Sequence, residues 1–192
     1  MKKGMLGVER LNLILQQHLN PKHPKKPEKE FDGKVYRVGD KVMQTKNNYQ
    51  IEWSVKNDIG IAMEKGQGVY NGDIGIIRYI NDFEEFIRVE FDDRKIVEYP
   101  YSEANQLELA YAITIHKSQG SEYPAVIIPM YPGPKMLMNR NLIYTAITRA
   151  KTCVALVGEP ECFYEMARNT SQMKRYSSLD RQIKNLLELN SN

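Results

Sequence analysis

Thr114-Ile115-His116-Lys117-Ser118-Gln119-Gly120-Ser121-Glu122-Tyr123-Pro124 is the stretch on which the reading of the fold turns. Apolar runs of buried-strand type flank it, Leu109-to-Thr114 before and Ala125-to-Ile128 after. A polar loop between two such runs belongs at the strand ends of an α/β sheet, where proteins of that class bind ligands. Its first seven residues bring together two hydroxyls, an imidazole, an ammonium, an amide and a glycine. Several donors with little bulk suit a phosphodiester backbone, and Glu122 is an acceptor suited to a ribose hydroxyl. By composition alone, a polar β–α turn whose Ser and Thr cap the next element is the better account.

Downstream, Asn139-Arg140-Asn141-Leu142-Ile143-Tyr144-Thr145-Ala146-Ile147-Thr148-Arg149-Ala150-Lys151 predicts a helix over 140–151, with Ile143, Ile147 and Ala150 on a common face. Arg149 falls near its C-terminal end. A guanidinium on a rigid element can stabilise the charge of a transferring phosphoryl group. Taken alone, a surface arginine favoured by the helix dipole explains it as well. Val154-to-Val157 predicts another buried strand, and two helices follow, about 161–169 and 179–189, the second capped by Ser177 or Ser178. This is half of a doubly wound sheet.

Upstream, residues 7–19 set Val8, Leu11 and Leu15 at helical spacing, and Asn20-Pro21 stops the helix. Pro21 to Pro27 is too rich in proline for a regular element. His18 and His23 have no metal-ligand constellation. Between residues 36 and 106 the texture is that of short strands: Val38-to-Gln44, Asp73-to-Ile80, Phe86-to-Phe91 and Lys95-to-Tyr99. Ile87, Val89 and Phe91 alternate with Arg88 and Glu90, which marks a strand wet on one face. Several strands in so short a span predict a small barrel. Tyr49 to Gly68, with Trp53, Gly60, Gly66 and Gly68, predicts a long irregular excursion.

The 192 residues leave room for one domain with a smaller one inserted. The net charge of +3 conceals a basic–acidic–basic layout. Residues 1–37 hold nine Lys/Arg against four Asp/Glu, residues 38–106 eight against thirteen, and residues 107–192 ten against seven. Anion binding is therefore expected on the flanks. No apolar run has the length of a membrane span and no signal-peptide core follows Met1. Cys153 and Cys162 read as reduced thiols, so no membrane partner and a cytoplasmic location are expected.

Taken together and in this order, the two strings resemble motifs V and VI of superfamily 1 helicases: T-x-H-x-x-Q-G-x-E-[FY]-P, then Y-T-A-I-T-R-A-K. The likeness is to the RecD family, that is, exodeoxyribonuclease V alpha chains and stand-alone RecD-like helicases. Met1 to Val8 with Leu11-Asn12 is similar to that family's motif IV region. Arg37 to Gln44, Asn47-Asn48-Tyr49 and Asn71-Gly72-Asp73-Ile74-Gly75 are similar to its inserted SH3-like domain. The resemblance implies an α/β fold: a RecA-like, doubly wound second motor domain of P-loop-NTPase type without the phosphate loop, carrying an all-β SH3-like barrel. The implied division is residues 1–36, the N-terminal helix and Pro/Lys-rich loop; 37–107, the insertion; and 108–192, the remainder with motifs V and VI.

It further implies the C-terminal motor half of an ATP-dependent 5′-to-3′ DNA helicase of recombination and repair, present as a fragment or truncated product. Arg149 matches the arginine finger. Gln119, Gly120 and Glu122 match the nucleotide-binding positions, and Thr114, His116, Lys117 and Ser118 match those that hold single-stranded DNA. The implied partners are single-stranded DNA, an N-terminal RecA-like domain and RecBCD-like subunits; no metal ligands are implied in this chain. ATP and Mg²⁺ belong to the complete protein, and neither is expected to bind tightly here. No glycine begins a G-x-x-x-x-G-K-[ST] phosphate loop, and no Asp-Glu dipeptide occurs. The alternative is a non-catalytic module of the same scaffold that docks DNA or partner subunits. The acidic balance of residues 38–106 argues against a broad phosphate-binding face on the insertion.

Overall fold

Alternating burial organises the central third of the chain. In β7 (Phe86–Phe91), Ile87 and Val89 are wholly buried and Phe91 nearly so, while Arg88 and Glu90 face outward, as the sequence predicts. The computed structural model describes residues 6–57, 61–134 and 136–170, together with Gly4, Ile59, Gln182 and Ile183. Two compact units divide it, Met1–Tyr123 and Pro124–Asn192.

The first unit begins with α1 (Val8–Leu19) and a hairpin of β1 (Glu28–Phe31) and β2 (Lys34–Arg37). A seven-stranded sheet follows, made of β3 (Lys41–Gln44), β4 (Asn48–Lys56), β5 (Ala62–Val69), β6 (Ile74–Asn81), β7, β8 (Lys95–Pro100) and β9 (Leu107–Leu109). Its order is β5-β4-β8-β7-β6-β3-β9, and its pairings are antiparallel. Val42, Ile77, Ile87, Val89, Val97, Tyr99 and Leu107 fill the core. Phe31 and Tyr36 of the first hairpin join them, so the core of this sheet reaches upstream of residue 37. Asp32-Gly33, both at positive φ, closes that hairpin, and this dipeptide between β-formers is its sequence signal.

Two expectations for this unit need correction. Tyr49 to Gly68 is mostly a regular hairpin of β4 and β5, in register Glu52↔Gln67, Trp53↔Gly66, Ser54↔Lys65. The glycine that suggested irregularity is there for the indole: a Cβ on Gly66 would lie 2.3 Å from the Trp53 ring. Leu109-to-Thr114 is not a strand of the α/β sheet. Leu109 ends β9, paired with Val42 of β3, and the ladder stops after Ala110 donates to the Lys41 carbonyl at 2.8 Å.

The buried face of α1 is polar. Asn12 and Gln16, with Asn20 at the C-cap, are buried, whereas Val8, Leu11 and Leu15 are only half-buried. The reason is Asp40, whose side chain is wholly buried between α1 and β3. Its Oδ2 accepts from Gln16 Nε2 (2.5 Å) and the Arg37 N–H (2.8 Å), and its Oδ1 from Asn20 Nδ2 (2.6 Å) and the Tyr111 hydroxyl (2.8 Å). A second buried chain runs from Tyr99 to Gln44 (3.0 Å), Gln44 to Gln106 (2.9 Å) and Gln106 to Glu103 (2.7 Å). Asn48 also donates to Gln106, at 3.1 Å.

The second unit is α/β: β10 (Tyr123–Met130), which begins at the boundary, then α2 (Arg140–Ile147), β11 (Ala150–Gly158) and α3 (Pro160–Arg168), with β10 paired to β11. Asn139 caps α2 by accepting from the Leu142 N–H at 3.0 Å. The helix ends at Ile147, not at 151, because β-branched Thr152 and Val154 favour the strand that begins at Ala150. Apolar Ile127, Leu156 and Val157 are exposed on β10 and β11, contrary to the burial predicted for them. That prediction assumed strands and helices on both sides, and the two strands pair only with each other among the described residues. Cys153 and Cys162 are free thiols, and burial raises the pKa of Cys162. The helix expected over 179–189 and its Ser177 or Ser178 cap lie outside the described residues, save that Gln182 and Ile183 are helical. No helix among the described residues is long and apolar enough to cross a membrane.

Gln16→Ala strips a buried carboxylate of one donor, and a hydrogen bond to a charged group is worth about 1.5–3 kcal/mol. Chemical denaturation should show a loss of that size. The β1–β2 hairpin should also respond to acid. Lys22 and Arg37 hold Glu28 below the ordinary carboxylate range, and Lys29 and Tyr101 do the same for Asp82. A lowered folded-state pKa gives stability that is complete at neutral pH and is lost as pH falls through the lowered values. Amide protection over residues 28–37 should therefore hold from pH 7 to about pH 5 and fall below about pH 4.

Candidate functional site

The loop 114–122 rests on two half-buried polar contacts just upstream. Tyr111 is fastened to Asp40, and burial together with that carboxylate pushes the pKa of its hydroxyl up. Asn12 of α1 grips the main chain of Ala112 from both sides, donating to its carbonyl at 2.9 Å and accepting from its N–H at 2.8 Å. An amide side chain that satisfies both groups of one peptide acts as a short piece of β-ladder. It fixes the chain two residues before the loop starts.

The loop then turns on itself. Ser118 N–H donates to the carbonyls of Thr114 (3.1 Å) and Ile115 (3.2 Å), and Ser121 N–H to that of Ser118 (3.1 Å). Thr114 Oγ1 accepts from the Lys117 N–H at 3.3 Å, and the buried Ser118 hydroxyl donates to the Ile115 carbonyl at 2.7 Å. Both hydroxyls therefore shape the turn, as the capping account of the sequence has it. Gly120 sits at φ +87°, a backbone conformation that disfavours a side chain. His116, Gln119, Gly120 and Glu122 are exposed. Lys117 is half-buried, and its Nζ lies 3.1 Å from Glu108 Oε2.

Seven of the eight sequence-predicted residues thus stand on one loop of the first unit. Arg149 belongs to the second, in a two-residue turn held between α2 and β11 rather than inside the helix. Its guanidinium folds back on the end of α2, with Nε 3.3 Å from the Thr145 carbonyl and an Nη 3.4 Å from the Thr148 hydroxyl. Sequence reasoning missed the supports: Asn12 as an anchor, Tyr111, and Glu108. The first had a signal, since Asn12, Gln16 and Asn20 recur every four residues between Leu11, Leu15 and Leu19. A polar stripe at helical spacing inside an apolar helix indicates buried partners. Glu108 had none.

Comparison with known proteins gives the architecture its relatives. Residues 11–91 match the model of the ATP-dependent RecD-like DNA helicase SH3 domain, and residues 109–157 that of the UvrD-like helicase C-terminal domain. The ATP-dependent RecD2 DNA helicase of Deinococcus radiodurans is 32% identical over 181 residues, covering 91% of this chain and 22% of the relative. The RecBCD enzyme subunit RecD of Mycolicibacterium smegmatis is 30% identical over 157 residues, covering 82% and 24%. The chain spans less than a quarter of the length of either relative. A solved structure of Pif1 helicases unwinding forked double-stranded DNA superimposes with a TM-score of 0.47 at 22% identity, over 82% of this chain and 40% of that one; so loose a likeness adds nothing to the assignment. The two domain matches and the nine-tenths coverage show that the chain carries a RecD-like helicase SH3 domain and a UvrD-like helicase C-terminal domain and is homologous to RecD-family helicases over most of its own length.

Proposed function

We propose that this chain works as part of the C-terminal motor half of an ATP-dependent 5′-to-3′ DNA helicase of recombination or repair. What supports this most is the loop 114–122. The residues that match motif V stand there together, held from below by Asn12 and Asp40, with His116, Gln119, Gly120 and Glu122 open to solvent. In this reading Thr114, His116, Lys117 and Ser118 form part of a single-stranded DNA track. Such a contact tolerates any sequence and weakens steeply with salt. Gln119, Gly120 and Glu122 face the nucleotide, with Glu122 accepting from a ribose hydroxyl.

ATP and Mg²⁺ enter as ligands of the complete protein. Among the described residues no group of three or more His, Cys, Asp or Glu is arranged to hold a metal ion, and the sequence has no phosphate loop. This chain's own contribution is then the acceptor at Glu122 and the guanidinium of Arg149. The phosphate cradle and the carboxylates for Mg²⁺ come from an N-terminal RecA-like domain, the first partner of this reading. RecBCD-like subunits are further partners, by analogy with the RecD relative. The exposed Ile127, Leu156 and Val157 of β10 and β11 are apolar surface that further motor elements would cover.

Arg149 stabilises negative charge on the transferring phosphoryl group, and a group of this kind contributes about 10³-fold or more to turnover. In the complete helicase, Arg149→Ala should lower ATP turnover by that factor while single-stranded DNA binding persists. DNA-stimulated phosphate release and oligonucleotide anisotropy measure the two, and retained turnover would remove the finger from Arg149.

A further inference from the structure

Lys34 opens β2 directly after the Asp32-Gly33 turn, outside the strings that resemble motifs V and VI. The other two cations of that hairpin also face carboxylates: Lys29 pairs with Asp82 at 2.8 Å, and Arg37, 3.0 Å from Glu28, shares it with Lys22. Lys34 shares one with the loop. Glu108 of β9 stands between Lys34 and Lys117, its Oε1 3.7 Å from one ammonium and its Oε2 3.1 Å from the other. Two ammonium groups thus converge on one carboxylate beside the loop. The three side chains are 46%, 36% and 26% exposed for Lys34, Glu108 and Lys117, so water screens both pairs and each is weak.

We propose that Lys34 is a second phosphate-binding lysine of the DNA track, and that Glu108 competes with the strand for Lys34 and Lys117. This rests on the reading of Lys117 as a backbone contact. A phosphodiester offers the ammonium groups the same anionic oxygens as the carboxylate does. Exchanging one for the other loses little, because the present pairs are weak. The positioning is firm at both ends: a closed two-residue turn holds Lys34, and β9, paired to β3, holds Glu108. The track thereby extends from the motif-bearing loop onto a hairpin of the SH3-containing unit. It does so at one defined spot, which agrees with the acidic balance of residues 38–106.

The test is equilibrium binding of the whole chain to a fluorescein-labelled oligothymidylate between 50 and 200 mM salt. Inorganic phosphate serves as competitor, to separate a strand from a free anion. Lys34→Ala and Lys117→Ala should each flatten the slope of log affinity against log salt by about 0.7, one single-strand contact. Lys34→Arg should keep the slope, and Glu108→Gln should tighten binding by up to about fivefold. A flattened slope for Lys117→Ala with a parental slope for Lys34→Ala overturns the role of Lys34 and leaves the proposed function standing. Parental slopes for both, no salt-dependent binding by the chain, or binding abolished by millimolar phosphate overturn the track itself. Weaker binding by Glu108→Gln overturns the competition and makes Glu108 a tether.

Discussion

A wholly buried carboxylate must be ringed with donors before the elements around it can settle, and Asp40 imposes that condition on the first unit. Removing an ion from water costs several kcal/mol even after relaxation. Here the compensation comes from three amide or hydroxyl side chains and one backbone N–H. Gln16 and Asn20 require α1 to present one polar face, Arg37 fixes the turn into β3, and Tyr111 brings back the chain that leaves β9. A helix, a hairpin end and the exit from the edge strand β9 are thereby tied to one pair of oxygens. The charge is answered by polar donors of fixed length, so the arrangement specifies geometry as well as supplying stability.

The functional loop inherits that geometry. Asn12 lies two helical turns before Asn20 on the same face of α1, and it holds Ala112 by both of its peptide groups. The segment between β9 and Thr114 has no ladder of its own, so α1 stands in for a neighbouring strand. Within the loop, two hydroxyls are spent on shaping the turn, and the exposed side chains lie farther along. The motif therefore holds two kinds of residue. Some make the loop what it is, and others face outward from it.

The same division explains the segments likened to the SH3-like insertion. Asp40, Gln44 and Asn48 recur at intervals of four along a strand–turn–strand path, and each is a node of the buried polar chains. Asn47 accepts from the Asn71 N–H at 2.9 Å and Asp73 from the Tyr70 N–H at 2.8 Å, closing the turns that flank β3 and β6. Polar residues that a strand pattern assigns to solvent are here the connectors of the core. Alternation could not reveal this, since hydropathy weighs a buried Gln and an exposed one alike.

The sequence by itself determined the strands whose alternation is strict, β7 above all, the order of all-β before α/β, and the loop bearing the motif residues. Those features depend on local periodicity and on the chemistry of adjacent side chains, which one strand of text carries. Only the tertiary structure decided which side of α1 is buried, that Leu109 ends the edge strand of the seven-stranded sheet rather than opening an α/β sheet, and that Gly66 makes room for Trp53. It alone joined Lys34, Glu108 and Lys117, residues 74 and 9 positions apart along the chain. Each of these follows from a partner far away in sequence, and a pairing between distant residues leaves no local period to read.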